Sequence, residues 1–217
     1  MNFIRCASLV LLISCVGACD YMRGVDGSGT IKTEPRSVSG FTDVEVHGSA
    51  KLVVEQGDTE SLSVTADDNL LQHISSEVKD SKLTIGPRVS VSPTEQILYK
   101  LSVKKLDSIG VSGDVSVDAA GIRTDSLSVG ISGAGNMVIS GEAAEQKLSI
   151  SGVGNYKGEN FKTVETSIAI SGSGNAVVAA SKRLDVQVSG SANVQYIGNP
   201  EITKSVSGVG TVEARTP

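Results

Sequence analysis

Tryptophan is absent from this chain, and phenylalanine and tyrosine occur only three and four times. Sugar-processing grooves usually rest their substrate on such rings, so their scarcity weighs against one. No cysteine follows Cys19, so nothing downstream can be stapled by a disulfide and the fold must rely on core and backbone pairing. Only two histidines exist, His47 and His73, and neither has a cysteine or second histidine at metal-ligand spacing. Lys and Arg number 19 against 24 Asp and Glu, and a net charge of −5 does not suit a nucleic-acid binder. Proline is rare, and the 24 glycines lack the every-third-residue period of collagen. Charge is too low, and aliphatic content too high, for a disordered chain. The one apolar run, residues 6–18, is too short to span a bilayer.

That run reads as an export signal over residues 1–18, with Arg5 as its positive n-region. It ends in Val16-Gly17-Ala18-Cys19, which resembles the bacterial lipobox: a branched aliphatic, two small residues, then cysteine. The resemblance implies that Cys19 becomes the first mature residue and carries lipid, several acyl chains anchoring firmly where one would not. Leu12-Ile13-Ser14-Cys15 is a second candidate, but it leaves a shorter signal, so Cys19 is preferred over Cys15. The alternative is an ordinary secretory signal with an incidental cysteine. Asp20 resembles an inner-membrane retention signal of enteric bacteria, a rule that transfers poorly between lineages. Residues 19–30 read as a flexible tether, Gly24, Gly27, Ser28 and Gly29 supplying the freedom.

Residues 31–217 read as one domain, irregular over 31–105 and regular over 106–217. In the regular part Ile131-Ser132-Gly133-Ala134-Gly135-Asn136 recurs from Ile150, from Ile170 and, more weakly, from Val188 and Val206. A shortened copy begins at Val111, and Val46-His47-Gly48-Ser49 looks like a distant first one. Successive leading aliphatics from Val111 are 20, 19, 20, 18 and 18 residues apart. Period-two alternation flanks each copy, as in Leu127/Val129/Ile131 and Leu184/Val186/Val188. A unit this short cannot close its own core, but stacked copies can, each strand pairing with its equivalent one repeat on. The expected fold is therefore all-β: a single-stranded parallel β-helix with coils of about 18–20 residues.

Several side-chain roles follow. Equivalent positions stack, so Ser132, Ser151, Ser171, Ser189 and Ser207 should form one ladder. Asn136, Asn155, Asn175 and Asn193 should form another, with amides bonding along the stack. The corner glycines should serve either a positive φ or close packing between coils. Lys204 occupies an apolar place of the last coil and reads as a cap against edge growth. In the irregular part Leu70, Leu71, Ile74 and Val78 are at helical spacing, so residues 67–78 hold either one short helix or only strand and turn.

The Ser-Gly-x-Gly-Asn coils, with Val38-Ser39-Gly40-Phe41-Thr42-Asp43-Val44-Glu45-Val46 and Asp67-Asp68-Asn69-Leu70-Leu71, resemble the family named "putative auto-transporter adhesin, head GIN domain". The likeness covers residues 31–215. It implies an exported protein, often a lipoprotein, with a parallel β-helix, and it brings no catalytic residues to carry over.

The residues themselves give no catalytic, metal or cofactor site. No Gly-x-Ser-x-Gly elbow occurs. Each Gly-x-Gly-Asn opens a strand rather than a helix, so it is not a phosphate loop. Calcium-binding repeats need a nine-residue period with Asp at a fixed place. His47 is expected to face outward between Val46 and Gly48. The favoured reading is a non-enzymatic protein of the bacterial cell envelope, in the periplasm or at the outer membrane. Its lipid would join it to the membrane, and its β-helix would offer a binding or adhesin-like surface to a surface glycan or protein. An oligomeric envelope spacer is the alternative, and a polysaccharide-active enzyme comes third.

Overall fold

The computed structural model describes residues 24–215. The signal, Cys15, Cys19 and the start of the tether lie outside the described residues. The chain is 75% strand and 2% helix, wound into a β-solenoid of about five turns, the parallel β-helix that the repeat predicts.

The strands run in chain order from β1 (Val25–Asp26), β2 (Ile31–Arg36), β3 (Asp43–Gln56) and β4 (Ser61–Asp67) to β5 (Ile74–Lys79) and β6 (Lys82–Pro87). They continue as β7 (Val91–Ser92), β8 (Ile97–Val103), β9 (Ser108–Ile131) and β10 (Ala134–Ile150). The last are β11 (Val153–Ile170), β12 (Ser173–Val188), β13 (Ser191–Ile197), β14 (Glu201–Val206) and β15 (Val209–Ala214).

From β3 onward the stack is parallel: β3 pairs with β9, β9 with β10, β10 with β11 and β11 with β12, then β12 with β13 and β14, and β13 with β15. The register holds the repeat in line. Ile131, Ile150, Ile170 and Val188 stack on one another. So do Val129, Leu148, Ile168 and Val186, and all eight are buried. The distant first corner also falls into place, since His47 pairs with Ser112 and Gly48 with Gly113.

The corners separate two explanations for glycine. Gly48 and Gly113, in the first two coils, have φ of 98° and 103°. The first glycines of the later corners do not have positive φ; they are held by proximity. A Cβ on Gly152 would meet the Gly133 carbonyl oxygen at 2.1 Å, and one on Gly190 would meet that of Gly172 at 1.9 Å. Backbone lies directly over backbone there, and only glycine fits.

The head of the solenoid is closed differently. β6 and β8 lie beside the two halves of β3, and both runs are parallel. Beyond them the direction reverses: β5 is antiparallel to β6, β4 to β8 and β2 to β4. The change of direction ends the coil stack. Of the two readings left open for residues 67–78, strand and turn is the observed one. A 3-10 turn covers Leu71–His73, and Ile74 then starts β5. Leu70, Leu71 and Ile74 are buried because this turn folds onto the head. Asp80 and Ser81, at φ 51° and 62°, make the tight connection to β6 that matches strand twist.

Residues 24–30 differ from a flexible tether. Val25 and Asp26 pair with Val91 and Ser92. The buried carboxylate of Asp67 accepts from the Gly29 amide at 2.8 Å, and from the Thr94 amide and hydroxyl at 3.0 and 2.6 Å. The Gly29 bond to this carboxylate, the Ser28 amide bond to Asn69 Oδ1 and the Ser28 hydroxyl bond to Asp68 hold the segment against the local freedom of its glycines. At the other end, Lys204 is exposed and pairs in register with Val186.

Candidate functional site

Two surfaces of the solenoid are candidates: the corner ladders and a groove over the coil returns.

At the corners, Asn155 Nδ2 donates to Asn136 Oδ1 at 2.9 Å, and Asn175 Nδ2 donates to Asn155 Oδ1 at 2.9 Å. Asn193 Nδ2 donates to Asn175 Oδ1 at 3.3 Å, and the Thr211 hydroxyl donates to Asn193 Oδ1 at 3.1 Å. All the amides therefore point the same way, and each of Asn155, Asn175 and Asn193 keeps one N–H for solvent. Ser132, Ser151, Ser171, Ser189 and Ser207 stack in an exposed row nearby. Their backbone amides donate to carbonyls one coil back, for example Ser171 to Ile150 at 2.9 Å. Ser132 and Ser207 Oγ also reach carbonyls, those of Val111 and Val188. Both rows are fixed to the backbone stack, so they present hydroxyls and amides at the ~4.8 Å pitch of paired strands.

The groove has a volume of about 970 Å³. It lies where the coils return. In one row Arg123, Glu142, Lys162, Ala179 and Ile197 stack in register. In the next, Thr124, Ala143, Thr163 and Ala180 stack. The groove exists because the returns differ in length: the pairing of β11 with β12 skips from Gly158 to Lys162, while its partner residues run straight from Val178 to Ala179. Of the three additional residues of β11, Glu159 lines the groove while Phe161 is buried in the core, and Ala143, Ala144, Ala179 and Ala180 also line the groove. Sequence reasoning missed it, since a spacing of repeats gives no return height. The only available signal was the small residues Ala143, Ala144, Ala179 and Ala180 amid charged returns.

Beneath the groove, polar side chains replace the apolar ladder. Gln146 and Thr166 stand between Leu127 and Leu184 in register. Gln146 Nε2 donates to the Tyr156 hydroxyl, and Thr163 and Thr166 share a hydrogen bond of 2.6 Å. Burial pushes the Tyr156 phenol up, against a smaller opposing effect of the Gln146 hydrogen bond. Tyr156 is therefore neutral across the physiological range and fills space as an uncharged partner.

His47 does not stand free. It packs over Gly86, where a Cβ would come within 2.5 Å of Nε2. His73 is in the 3-10 turn, its amide bonded to the Leu70 carbonyl. Among the described residues no group of three His, Cys, Asp or Glu could hold a metal ion, and no helix is long and apolar enough to cross a membrane.

A family model described as "Putative auto-transporter adhesin, head GIN domain" matches residues 40–200. No curated protein matches the chain. Among solved structures, a putative adhesin from Bacteroides fragilis superposes with a TM-score of 0.72 at 22% identity, covering 88% of this chain and 100% of its own. A putative adhesin from Parabacteroides distasonis gives 0.61 at 24% identity, covering 89% and 100%. A protein from the same species, titled a putative lipid binding protein, gives 0.54 at 23% identity, covering 89% and 100%. At these identities the structures share the fold.

Proposed function

From the premise that this chain belongs to the auto-transporter adhesin head GIN domain family, we propose that it is a non-enzymatic, lipid-anchored protein of the bacterial cell envelope whose solenoid serves as an adhesin-like binding surface. The observation that carries this is the pair of exposed Ser and Asn rows, locked to the backbone coil by coil. A recognition surface gains affinity when its groups need not be ordered on binding. The Asn row is ordered already, each amide held by its neighbour one coil away. The family name and the adhesin titles of the fold relatives support an exported surface role.

Anchoring is tested first. Intact-mass spectra of the membrane-extracted protein should show lipid on Cys19, and Cys19→Ser should release it from membranes. Unmodified Cys19 in the wild type would remove the anchor from this reading. Binding is tested separately, by presenting the folded protein to glycan arrays and to host-matrix proteins. Asn155→Lys with Asn175→Lys places like charges on adjacent coils of the amide row and should abolish any specific signal. Retained binding would move the surface elsewhere.

An assembly role keeps one observation in its favour: Val209, on the last coil, is 77% exposed, and Val206 is exposed beside it. Light scattering during size-exclusion chromatography separates the two readings, because a binder remains monomeric while an assembly runs as a larger species.

A further inference from the structure

We propose that the last coil is completed by an extended strand of a partner protein, one whose inward face reads apolar, acidic, apolar at every second residue. The site is separate from the Ser and Asn rows. Those rows run along the side of the solenoid, and this is its open end.

The two ends of the stack are finished differently. At the head, the edge strand β2 carries Lys32, Glu34, Pro35 and Arg36, and charge and proline keep other strands off. At the tail, β14 and β15 pair on one side only among the described residues, and neither contains proline. The apolar column of the core stops there. Ile202 stacks on Leu184, Val206 on Val188 and Val212 on Val194. The three inner partners are buried, whereas Val206 is 39% exposed and Ile202 and Val212 are half-buried. Val206, Gly210 and Val212 line a hollow of about 580 Å³ at this end. Solenoids usually close such an end with a polar capping repeat. An unpaired strand edge beside an apolar column is what strand addition uses: the main chain supplies hydrogen bonds, and alternate side chains fill the column.

Lys204 selects the occupant. It is in register with buried Val186, so it shares the inward face with Ile202 and Val206, and it lines the same hollow. Among the described residues no carboxylate lies within 4.0 Å of its ammonium. An added strand sets one side chain over Lys204 and the residues two before and two after it over Ile202 and Val206. An apolar side chain over the ammonium would bury an unpaired charge, which is costly. A carboxylate there pairs with it. A second copy of this chain, joined open end to open end, cannot supply that carboxylate. Directly opposed residues share a face, so Lys204 would meet an inward residue of the other last coil. Those are Ile202, Lys204 and Val206 of β14 and Gly210, Val212 and Ala214 of β15. None is acidic. Lys204 therefore turns its own copies away and accepts a strand with an acidic centre, rejection and attraction acting through one side chain.

The test uses the full mature chain carrying Cys19→Ser, so that it stays in solution. The probe is a blocked, fluorescently labelled peptide, Thr-Val-Thr-Glu-Thr-Val-Thr, read by anisotropy and by hydrogen exchange of the protein. It should bind saturably, one per chain, and should protect amides of β14. The same peptide with Lys in place of Glu should bind at least about tenfold more weakly, because like charges then meet. Lys204→Glu should reverse that preference. Its thermal unfolding should match the parent, since the side chain is exposed. Four outcomes overturn the proposal: no saturable binding, equal affinity for the two peptides, a preference that Lys204→Glu leaves unchanged, or dimerisation of the peptide-free protein with protection of β14, which would give the edge to a second copy. Asn155 and Asn175 stand on earlier coils, so the array result on the amide row and the peptide result fail independently.

Discussion

Gly172 lies so close over Gly152 that a Cβ on the former would stand 1.9 Å from the carbonyl oxygen of the latter. The contact is backbone on backbone, so no side chain can swing away to relieve it. Gly172→Ala must push two coils apart or break the Ser173 amide bond to the Gly152 carbonyl, 2.9 Å long. Overpacking of this kind costs about 1–3 kcal/mol, and denaturant melts should place the loss at the upper end. Gly110→Ala is the control: the nearest atom to its added Cβ is Glu45 Cγ at 3.9 Å, so its midpoint should stay near wild type. Equal loss in both variants would mean that conformational freedom, not coil contact, explains the corner glycines.

Ile170 stacks in register on Ile150, and both are buried. Ile170→Ala should cost about 2–5 kcal/mol, through lost burial and the cavity left behind. Ile170→Asp buries an unpaired charge between coils and should be worse. Ser171, the next residue, is exposed, and Ser171→Ala should change the unfolding midpoint little. If Ile170→Asp were as stable as wild type, or Ser171→Ala the worst of the three, inside and outside would be exchanged.

The contrast between Ile170 and Ser171 was legible without coordinates because a repeat is its own alignment. Five copies of one corner, each with apolar residues two apart before it, leave only one way to stack. That logic fails where the chain is not repeated. The alternation of Leu83 and Ile85 marks β6 as a strand, but the Asp80-Ser81 turn carries none of the Asn-Gly chemistry that usually marks a hairpin, so β5 had no visible partner and helical spacing over 67–78 stayed an open reading. Leu70, Leu71 and Ile74 are spaced for a helix but are buried by a 3-10 turn and a strand start instead. The strap of residues 24–30 read as free because its glycines are local and its anchor, Asp67, is distant in sequence. The groove was illegible for a related reason: its wall is the length difference between the returns of β11 and β12, a property of two coils together.

Asn175 sits in the middle of the amide row, donating to Asn155 at 2.9 Å and accepting from Asn193 at 3.3 Å. Asn175→Ala removes both bonds, but at an exposed place where water can substitute. A net hydrogen bond is worth about 0.5–1.5 kcal/mol, and exposure puts the total near the low end, about 1 kcal/mol in chemical denaturation. Asn175→Asp keeps the acceptor and loses the donor, so its cost should be smaller at low pH, where the protonated carboxyl can donate again. A loss above about 3 kcal/mol for Asn175→Ala would give the row a structural weight that its hydrogen bonds do not account for.

The Thr94 hydroxyl beside Asp67 holds that carboxyl below the ordinary value near 3.8, opposed by burial and helped by the Thr94 and Gly29 amides. A carboxyl whose folded pKa is depressed binds protons more readily in the unfolded chain. Its contribution to stability is therefore fully present above the unfolded value and is lost as pH falls from about 3.8 through the folded pKa. Denaturant melts should show the protein losing stability below pH 4, with part of that slope assignable to this residue. Asp67→Asn removes the titration. It also loses one carboxylate oxygen that accepts the Thr94 amide, so the variant should be weaker at pH 7, yet its stability should change less between pH 6 and pH 3 than that of the wild type. Because Asp67 ties residues 24–30 to the head, hydrogen exchange at the Gly29 amide should accelerate in the variant at every pH, and in the wild type only at the acid end. An unchanged acid slope in Asp67→Asn would assign the loss to other carboxylates and leave the strap held by backbone pairing alone.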